Sequence, residues 1–443
     1  MSQKRGMQSQ NDLPQCNHLI STCCFELSPY IAFYIAAETT IKMSFRQFSS
    51  DADVIAFACQ HSDLLSADEP LRVEEIGDGN INFVYRVSGA STSLIIKQAL
   101  PYIRIIGEGW PLSQDRIRIE AEALQLEAKY CPDLVPEVYH YDAEQCAIVM
   151  EDISAYDNLR NVMVARQKLP LLAEHLGRFL ADTLFYTSDL YLDAHAKKAL
   201  VKSFINPDLC KISEELFFWD PYCDHERNSI NEYLRQDAEK LWQDEALKLE
   251  VAQLKMKFLN QAEALLHGDL HAGSVFANAS GCKIIDPEFA YVGPAGFDIG
   301  SIIGNYVLNI AGQSNLPGDQ AERRDYQQWL LDGINILWNT IAQRFRQHMR
   351  DETTDPSLQQ AAFADWYLSS LLADSLGYAG TEVIRRTVGL AHVLDIESIE
   401  DAQQRAESER LALTLGQLLI KERASFSRIE ALTAKLAEQL FCH

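Results

Sequence analysis

The stretch LHGDLHAGSVFANASGCKIIDPEFAYVGPAGFDIGSIIGN, residues 266–305, decides how the rest of the chain is read. It carries Asp269, Asp286, Glu288 and Asp298 on short segments joined by small residues and turns. His267-Gly268-Asp269 reads as a loop after a helical run, and Lys283-Ile284-Ile285 as a short buried strand ending at Asp286. The 17 residues from Asp269 to Asp286 are about what one short hairpin needs to return two carboxylates to one cleft. Taken singly, each acid has a structural explanation, as a turn former, an N-cap or a residue flanking Pro287. The spacing of all four on one stretch is harder to explain by turns alone.

The other 403 residues of the 443 set limits on that reading. A chain this long divides into two or three lobes or domains. At 47% hydrophobic and 23% charged it is compositionally an ordinary globular protein. A net charge of −24 with no basic run argues against nucleic acid or an anionic membrane as partner, though not against a phosphate-bearing small molecule. Ten cysteines without a CxxC pair read as reduced thiols in a cytoplasmic protein, and argue against zinc. Residues 18–37 are mildly apolar but interrupted by Glu26 and Pro29, which fits neither a membrane span nor a signal peptide. Met43 reads as a natural start, so residues 1–42 are expected to be a poorly ordered, non-functional extension.

From Leu71 the pattern is that of strands. LRVEEIGDGNINFVYRV (71–87) alternates on both sides of Gly77-Asp78-Gly79-Asn80, predicting a hairpin, and Ser93–Gln98 supplies a third strand. Such a tip can turn N–H groups toward phosphate oxygens, with Lys97 as a neighbouring point charge, although Asn82 stands where a third glycine would be. A loop around Trp110 leads into a helix carrying Glu120. Spacing alone makes Glu120 one more charge on a wet helix face, and Lys97 a solvated strand lysine. Strands at 137–140 and 147–150 complete a small antiparallel sheet, ending in Met150-Glu151-Asp152-Ile153. Residues 43–152 have the proportions of a lobe. From Leu159 the period is helical, with helices expected at 159–187, 195–202, 229–265, 299–312, 323–350, 357–379, 381–393 and 405–438. The fold class is α+β: a β-rich N-terminal lobe, then a larger, mainly helical lobe over 153–443.

A loop carboxylate, a strand, a second carboxylate, and a glycine-bearing hairpin with a lysine upstream are together the parts of phosphoryl transfer, where the protein mainly positions groups and screens charge. In that chemistry Asp269 orients an acceptor hydroxyl and takes its proton. Asp286 and Glu288 suit Mg²⁺, a hard cation that prefers oxygen, and Asp298 would support the loop. His267 and His271 lack the further ligands a zinc site needs.

Several motifs make the resemblance specific: GDGNINFVYRV (77–87), IIKQA (95–99), GEGWPLSQDRIRIEAEAL (107–124), MEDI (150–153), HGDLHAGSVF (267–276), DPEFAYVGPAGFDIGS (286–301) and IRRTVGLAHVLD (384–395). Together they resemble the protein-kinase-like small-molecule kinases, the superfamily of aminoglycoside phosphotransferases and choline kinases, and within it the methylthioribose kinase family. HGD with a downstream acidic motif marks only the superfamily; DPEFA, FDIG and IRRTVGLAHV are narrower.

The resemblance implies a bilobal fold with ATP between the lobes, its adenine near Met150, Glu151 and Ile153, and its phosphates near Gly77, Asp78, Gly79, Asn80, Asn82 and Lys97, with Glu120 paired to the lysine. It implies Asp269 as base, Asp286 and Glu288 as Mg²⁺ ligands, and phosphorylation of the 1-hydroxyl of methylthioribose in methionine salvage. Arg385 and Arg386 would reach the substrate, although neighbours on a helix point apart, and Trp110 would help close the sugar site. A homodimer is also implied. Ser274 stands where a protein kinase has asparagine, which leaves the second metal contact to Glu288. The competing readings are a kinase for an aminoglycoside or amino alcohol, and an inactive ATP-binding scaffold.

Overall fold

β-Branched and aromatic residues make up nearly half of the strands of the N-terminal lobe. β1 (Arg72–Glu75), β2 (Phe83–Ser88), β3 (Ser93–Gln98), β4 (Val138–Asp142) and β5 (Ala147–Glu151) form one sheet in the order β1-β2-β3-β5-β4, every pair antiparallel. This computed structural model describes residues 45–76, 81–104, 107 and 109–441. The extension of residues 1–42 and the hairpin tip Gly77, Asp78, Gly79 and Asn80 lie outside the described residues.

The alternation of β3 sorts its side chains to two faces. Leu94 and Ile96 pack with Val54, Phe57 and Ala58 of α1 (Asp51–His61), which is capped by the Ser50 hydroxyl. Ile95 packs with Ile117 and Ala121 of α2 (Asp115–Glu127) on the other face. Lys97, two residues on from Ile95, shares that second face. Strand parity therefore aims the lysine at α2 rather than at solvent.

The helical lobe begins with the short strand β6 (Asp157–Asn158) and α3 (Leu159–Val164), followed by α4 (Leu172–Tyr186), α5 (Ala194–Ser203), α6 (Pro207–Phe218), α7 (Arg235–Gln243) and α8 (Glu245–Asn260). The helix expected at 159–187 is thus two, parted around Pro170 and a positive φ at Arg166. The run expected at 229–265 is also two helices, and its last residues form β7 (Ala264–Leu266), so a strand rather than a helix delivers His267.

The hairpin expected between the two acids is β8 (Val275–Asn278) and β9 (Gly281–Ile284), with β6 paired to β8; β10 (Tyr291–Gly293) pairs with β7. Six helices complete the lobe: α9 (Gly296–Gly312), α10 (Gln320–Asp351), α11 (Ala361–Val388), α12 (Leu394–Glu397), α13 (Ala402–Lys421) and α14 (Ile429–Phe441). Gly380, read as a break between two helices, lies within α11, where its bare Cα lets the Gly416 carbonyl of α13 approach. The run expected at 405–438 is two helices with Phe426 between them. Among the described residues no helix is long and apolar enough to cross a membrane.

The α9–α11 seam positions the site. A Cβ at Gly300 would stand 2.5 Å from the Ser375 carbonyl of α11. Glycine there lets two backbones meet without side chains between them. The buried start of α9 and the buried end of α11 are fixed against each other by that contact.

Candidate active site

Asp269 sits in a loop built to hold it. Asp298, in the first turn of α9, accepts the His267 N–H at 2.6 Å and the Gly268 N–H at 3.1 Å through its two oxygens. Burial pushes its carboxyl up to about 7, against the pull of those two N–H groups. Gly268 has φ +84°, and a Cβ there would meet the Phe289 carbonyl at 2.2 Å, so no other residue fits. The Ser274 hydroxyl accepts the His271 N–H at 3.0 Å and donates to the Asp269 carbonyl at 3.1 Å. Serine at this position therefore closes the loop on itself.

Three side chains face the Asp269 carboxylate. His271 Nδ1 accepts the Gly273 N–H at 2.8 Å, which leaves the proton on Nε2, 3.4 Å from Asp269 Oδ2. Arg385 Nη2 and Arg386 Nη2 stand 3.3 and 3.9 Å from Asp269 Oδ1. Burial opposes the charge on Asp269, but His271 and the two arginines outweigh it and hold the carboxyl well below the usual range.

Both arginines, adjacent in sequence, reach the same place, contrary to the expectation that neighbours on a helix diverge. Glu382, one turn earlier and 0% exposed, accepts from both: Oε2 from Arg385 Nε, and Oε1 from Arg386 Nε at 3.0 Å. Long helical side chains lean back over the preceding turn, so residues three and four positions after Glu382 both converge on it. The Arg385 guanidinium also lies over the Phe217 ring at 3.7 Å. Neither arginine is solvated.

On the opposite side Lys97 Nζ lies 2.8 Å from Glu120 Oε2 and 2.7 Å from Asp286 Oδ1. Burial works against the ammonium, yet Asp286 and Glu120 hold its proton more firmly than usual. Burial pushes Glu120 upward, with Lys97 opposing. Glu120 is 0% exposed, so the wet-face reading fails: it faces the sheet with Ile117 and Ala121. Asp286, its side chain 46% exposed, adopts a left-handed backbone, φ 65° and ψ 44°, where the chain turns from β9 into a 3₁₀ turn containing Glu288.

Asn82 fills a different place from that of a hairpin glycine. Its amide nitrogen donates to Glu288 Oε2 at 2.8 Å, and its oxygen accepts from Arg116 Nε and Nη2 at 3.1 and 2.7 Å. The N-terminal lobe thereby grips the acid of the helical lobe. Lys97 takes one oxygen of Asp286 and Asn82 one of Glu288; among the described residues no hydrogen bond engages the other oxygen of either. Two such oxygens suit a hard divalent cation.

Met150 is buried in the β3–β5 pairing, and the Glu151 carboxylate meets Lys283 Nζ of β9 at 3.0 Å. Ile153, beyond the strand, is half-buried. Trp110 packs in a small apolar cluster around Ile103, Leu112 and Leu209 that includes Phe289, the neighbour of Glu288.

The profile of the phosphotransferase enzyme family matches residues 72–334. A methylthioribose kinase of Yersinia pseudotuberculosis is 45% identical over 371 residues, 83% of this chain and 91% of its own. One from Pectobacterium atrosepticum is 42% identical over 398 residues, 89% of this chain and 98% of its own. The chain belongs to the methylthioribose kinase family. It is a phosphotransferase, and the bilobal architecture described above is that of its superfamily. An ethanolamine kinase of Plasmodium vivax overlaps 85% of the chain and 91% of its own at 13% identity with a TM-score of 0.43.

Sequence reasoning missed three residues of the kinase: Glu382, Arg116 and Asn305. Asn305 Oδ1 accepts the Ala272 N–H at 3.2 Å and its Nδ2 donates to Glu382 Oε1 at 3.2 Å, linking the Asp269 loop to the arginine clamp. Glu382 had a readable signal, an acid three and four positions before two arginines. Arg116 and Asn305 had none, since their partners lie far along the chain.

Proposed function

We propose that this kinase transfers the γ-phosphoryl group of ATP to the 1-hydroxyl of S-methyl-5-thioribose, giving the 1-phosphate and ADP, a step of methionine salvage. The observation that carries it is the placing of Asp269 under two buried arginines, opposite the Lys97–Asp286 pair. Phosphoryl transfer needs a carboxylate at the acceptor hydroxyl and positive charge where the phosphoryl group passes. The depressed Asp269 is a weak base. It orients the hydroxyl and receives its proton as the new O–P bond forms and the bond to ADP breaks. Arg385 and Arg386, released from Asp269, take the oxygens of the phosphoryl group. Lys97, steadied by Glu120, holds the ATP phosphates, whose other support is the tip at 77–80; the adenine lies against Met150–Ile153. Asp286 and Glu288 would hold Mg²⁺, which when bound screens the phosphate oxygens. The Trp110 loop closes over the sugar.

The paired arginines also favour a neutral sugar over the cationic aminoglycosides and amino alcohols, because an ammonium group would be repelled. In the same reading residues 43–152 and 153–443 are the two lobes, 1–42 are dispensable, and the enzyme is a cytoplasmic homodimer with no nucleic-acid partner. The homodimer rests on the family resemblance, and sedimentation of the purified chain tests it. The decisive experiment is ADP release with ATP, Mg²⁺ and methylthioribose, with ribose and an aminoglycoside as controls. Turnover confined to methylthioribose is expected. Faster turnover of the aminoglycoside, or none with any acceptor, would overturn the reading.

A further inference from the structure

Among the described residues, two clusters away from Asp269 bring three metal-type ligands together. In the first, His61, His140 and Asp142, the two imidazoles are stacked, with centroids 4.0 Å apart and planes within 14°. Imidazole lone pairs lie in the ring plane, so parallel stacked rings cannot both point at one ion. That cluster is excluded by its geometry.

The second cluster has the opposite character. One nitrogen of His392 and one carboxylate oxygen each from Glu397 and Glu409 lie within 4.8 Å of one another. They come from three elements: the loop after α11, the end of α12, and α13. His392 Nδ1 is 2.7 Å from Glu397 Oε1. Glu409 is 1% exposed, and its Oε2, like His392 Nε2, is buried without a hydrogen-bond partner among the described residues. Leaving a buried carboxylate oxygen unpaired is costly, and a cation held by Glu409 together with His392 Nδ1 and Glu397 would satisfy it. Arg405, one turn before Glu409, adds positive charge nearby but donates to the Ile399 carbonyl at 3.1 Å, and Glu409 Oε2 keeps no hydrogen-bond partner among the described residues. Glu397 is partly exposed, so the position is reachable from solvent.

We propose that His392, Glu397 and Glu409 form a binding site for a divalent transition-metal ion of the zinc type, distinct from the Mg²⁺ position. One imidazole and two carboxylates are ordinary zinc ligands, with water completing the tetrahedron, whereas Mg²⁺ has little use for nitrogen. The absence of cysteine pairs therefore does not dispose of zinc in this chain. The ion ties the α11–α12 loop to α13. That loop holds the Ala391 carbonyl, 3.4 Å from Arg386 Nη1, so the metal steadies the surroundings of an arginine at the site without entering it.

The test is calorimetric titration of Zn²⁺ into the chelator-stripped full-length protein, with Mg²⁺ in excess throughout. It is run on the wild type, His392→Asn, Glu409→Gln and His61→Asn. Wild type and His61→Asn are expected to bind one equivalent of Zn²⁺ that the other two lack or bind more weakly by over about 100-fold, beyond what loss of a merely supporting partner costs. Zn²⁺ should raise the melting temperature of the first pair alone. Co²⁺ should give a visible absorption band that disappears in His392→Asn, which serves as the deciding variant if Glu409→Gln fails to fold. Equal uptake by wild type and His392→Asn, or loss of uptake in His61→Asn, would overturn the proposal.

Discussion

Glu120 and Glu382 are both wholly buried carboxylates that hold cations at the site, and they do so by different means. Glu120 reaches Lys97 from another element: the contact exists only because α2 lies on one face of β3. Glu382 holds Arg385 and Arg386 from the same helix, so its geometry is present as soon as α11 forms. The balance of charge differs as well. Glu120 faces one ammonium, which Asp286 also shares, while Glu382 faces two guanidiniums with Asp269 as their other anion. The nucleotide side is thus assembled by tertiary packing and straddles the lobes. The acceptor side is set by helical spacing inside one lobe, and its two guanidiniums are matched by two carboxylates, whereas Lys97 faces two carboxylates alone.

If that division is right, the largest effect belongs to Asp269, which answers to the acceptor side. Asp269→Asn should lower kcat by about 10³–10⁴-fold while binding of an ATP analogue, followed by calorimetry, stays within a few-fold. A parallel loss of ATP binding would dissolve the distinction between the two sides.

Next is stability. Glu382→Ala strands two buried guanidiniums and should cost about 3–5 kcal/mol, read from urea midpoints. Glu120→Ala leaves Lys97 its partner Asp286 and should cost less, about 1–3 kcal/mol. Equal losses would mean the two clamps are energetically alike. In kinetics Glu120→Gln should raise the KM for ATP by about 10-fold, equivalent to about 1.4 kcal/mol, with the KM for the acceptor unmoved.

The pH dependence of the two clamps should also differ. Burial alone would raise Glu382, but Arg385 and Arg386 outweigh it and bring it down to about 2. Its folded-state value lies below the ordinary glutamate value of about 4.5, so its contribution is complete above about 4.5 and is lost as pH falls toward about 2. The gap in urea midpoint between wild type and Glu382→Gln should therefore be widest near neutrality and narrow across that acid window. Glu120 is displaced the other way, upward by burial, and Glu120→Gln should show no such narrowing. The smallest effect is expected of Asn82→Ala, which removes one partner from Arg116 and one from Glu288, at a cost of about 1–2 kcal/mol with a modest rise in the KM for ATP.

Local chemistry was the legible part of the chain. Strand alternation and the glycine-rich turns located the β-rich lobe, and the hairpin between Asp269 and Asp286 is where the spacing put it. The supporting role expected of Asp298 is met by its two backbone N–H contacts to the Asp269 loop. Errors arose where contacts between distant residues decide the outcome. Glu120 looked solvated because nothing near it in sequence says that α2 covers β3. Arg385 and Arg386 looked divergent because a helical wheel places Cβ atoms and ignores how far a guanidinium leans back. Gly380 was taken for a break, since the carbonyl of Gly416 that it accommodates lies 36 residues away.

The backbone of Asp286 has a consequence of its own. A left-handed conformation costs an ordinary L-residue about 1–2 kcal/mol, less for aspartate and nothing for glycine. Asp286→Gly relieves that strain but also removes a carboxylate that holds buried Lys97, so its stability should stay close to that of the wild type while the protein is catalytically silent. At this one position strain and ion pairing offset one another in folding while turnover requires the carboxylate, so a screen for thermostability alone would not protect activity there.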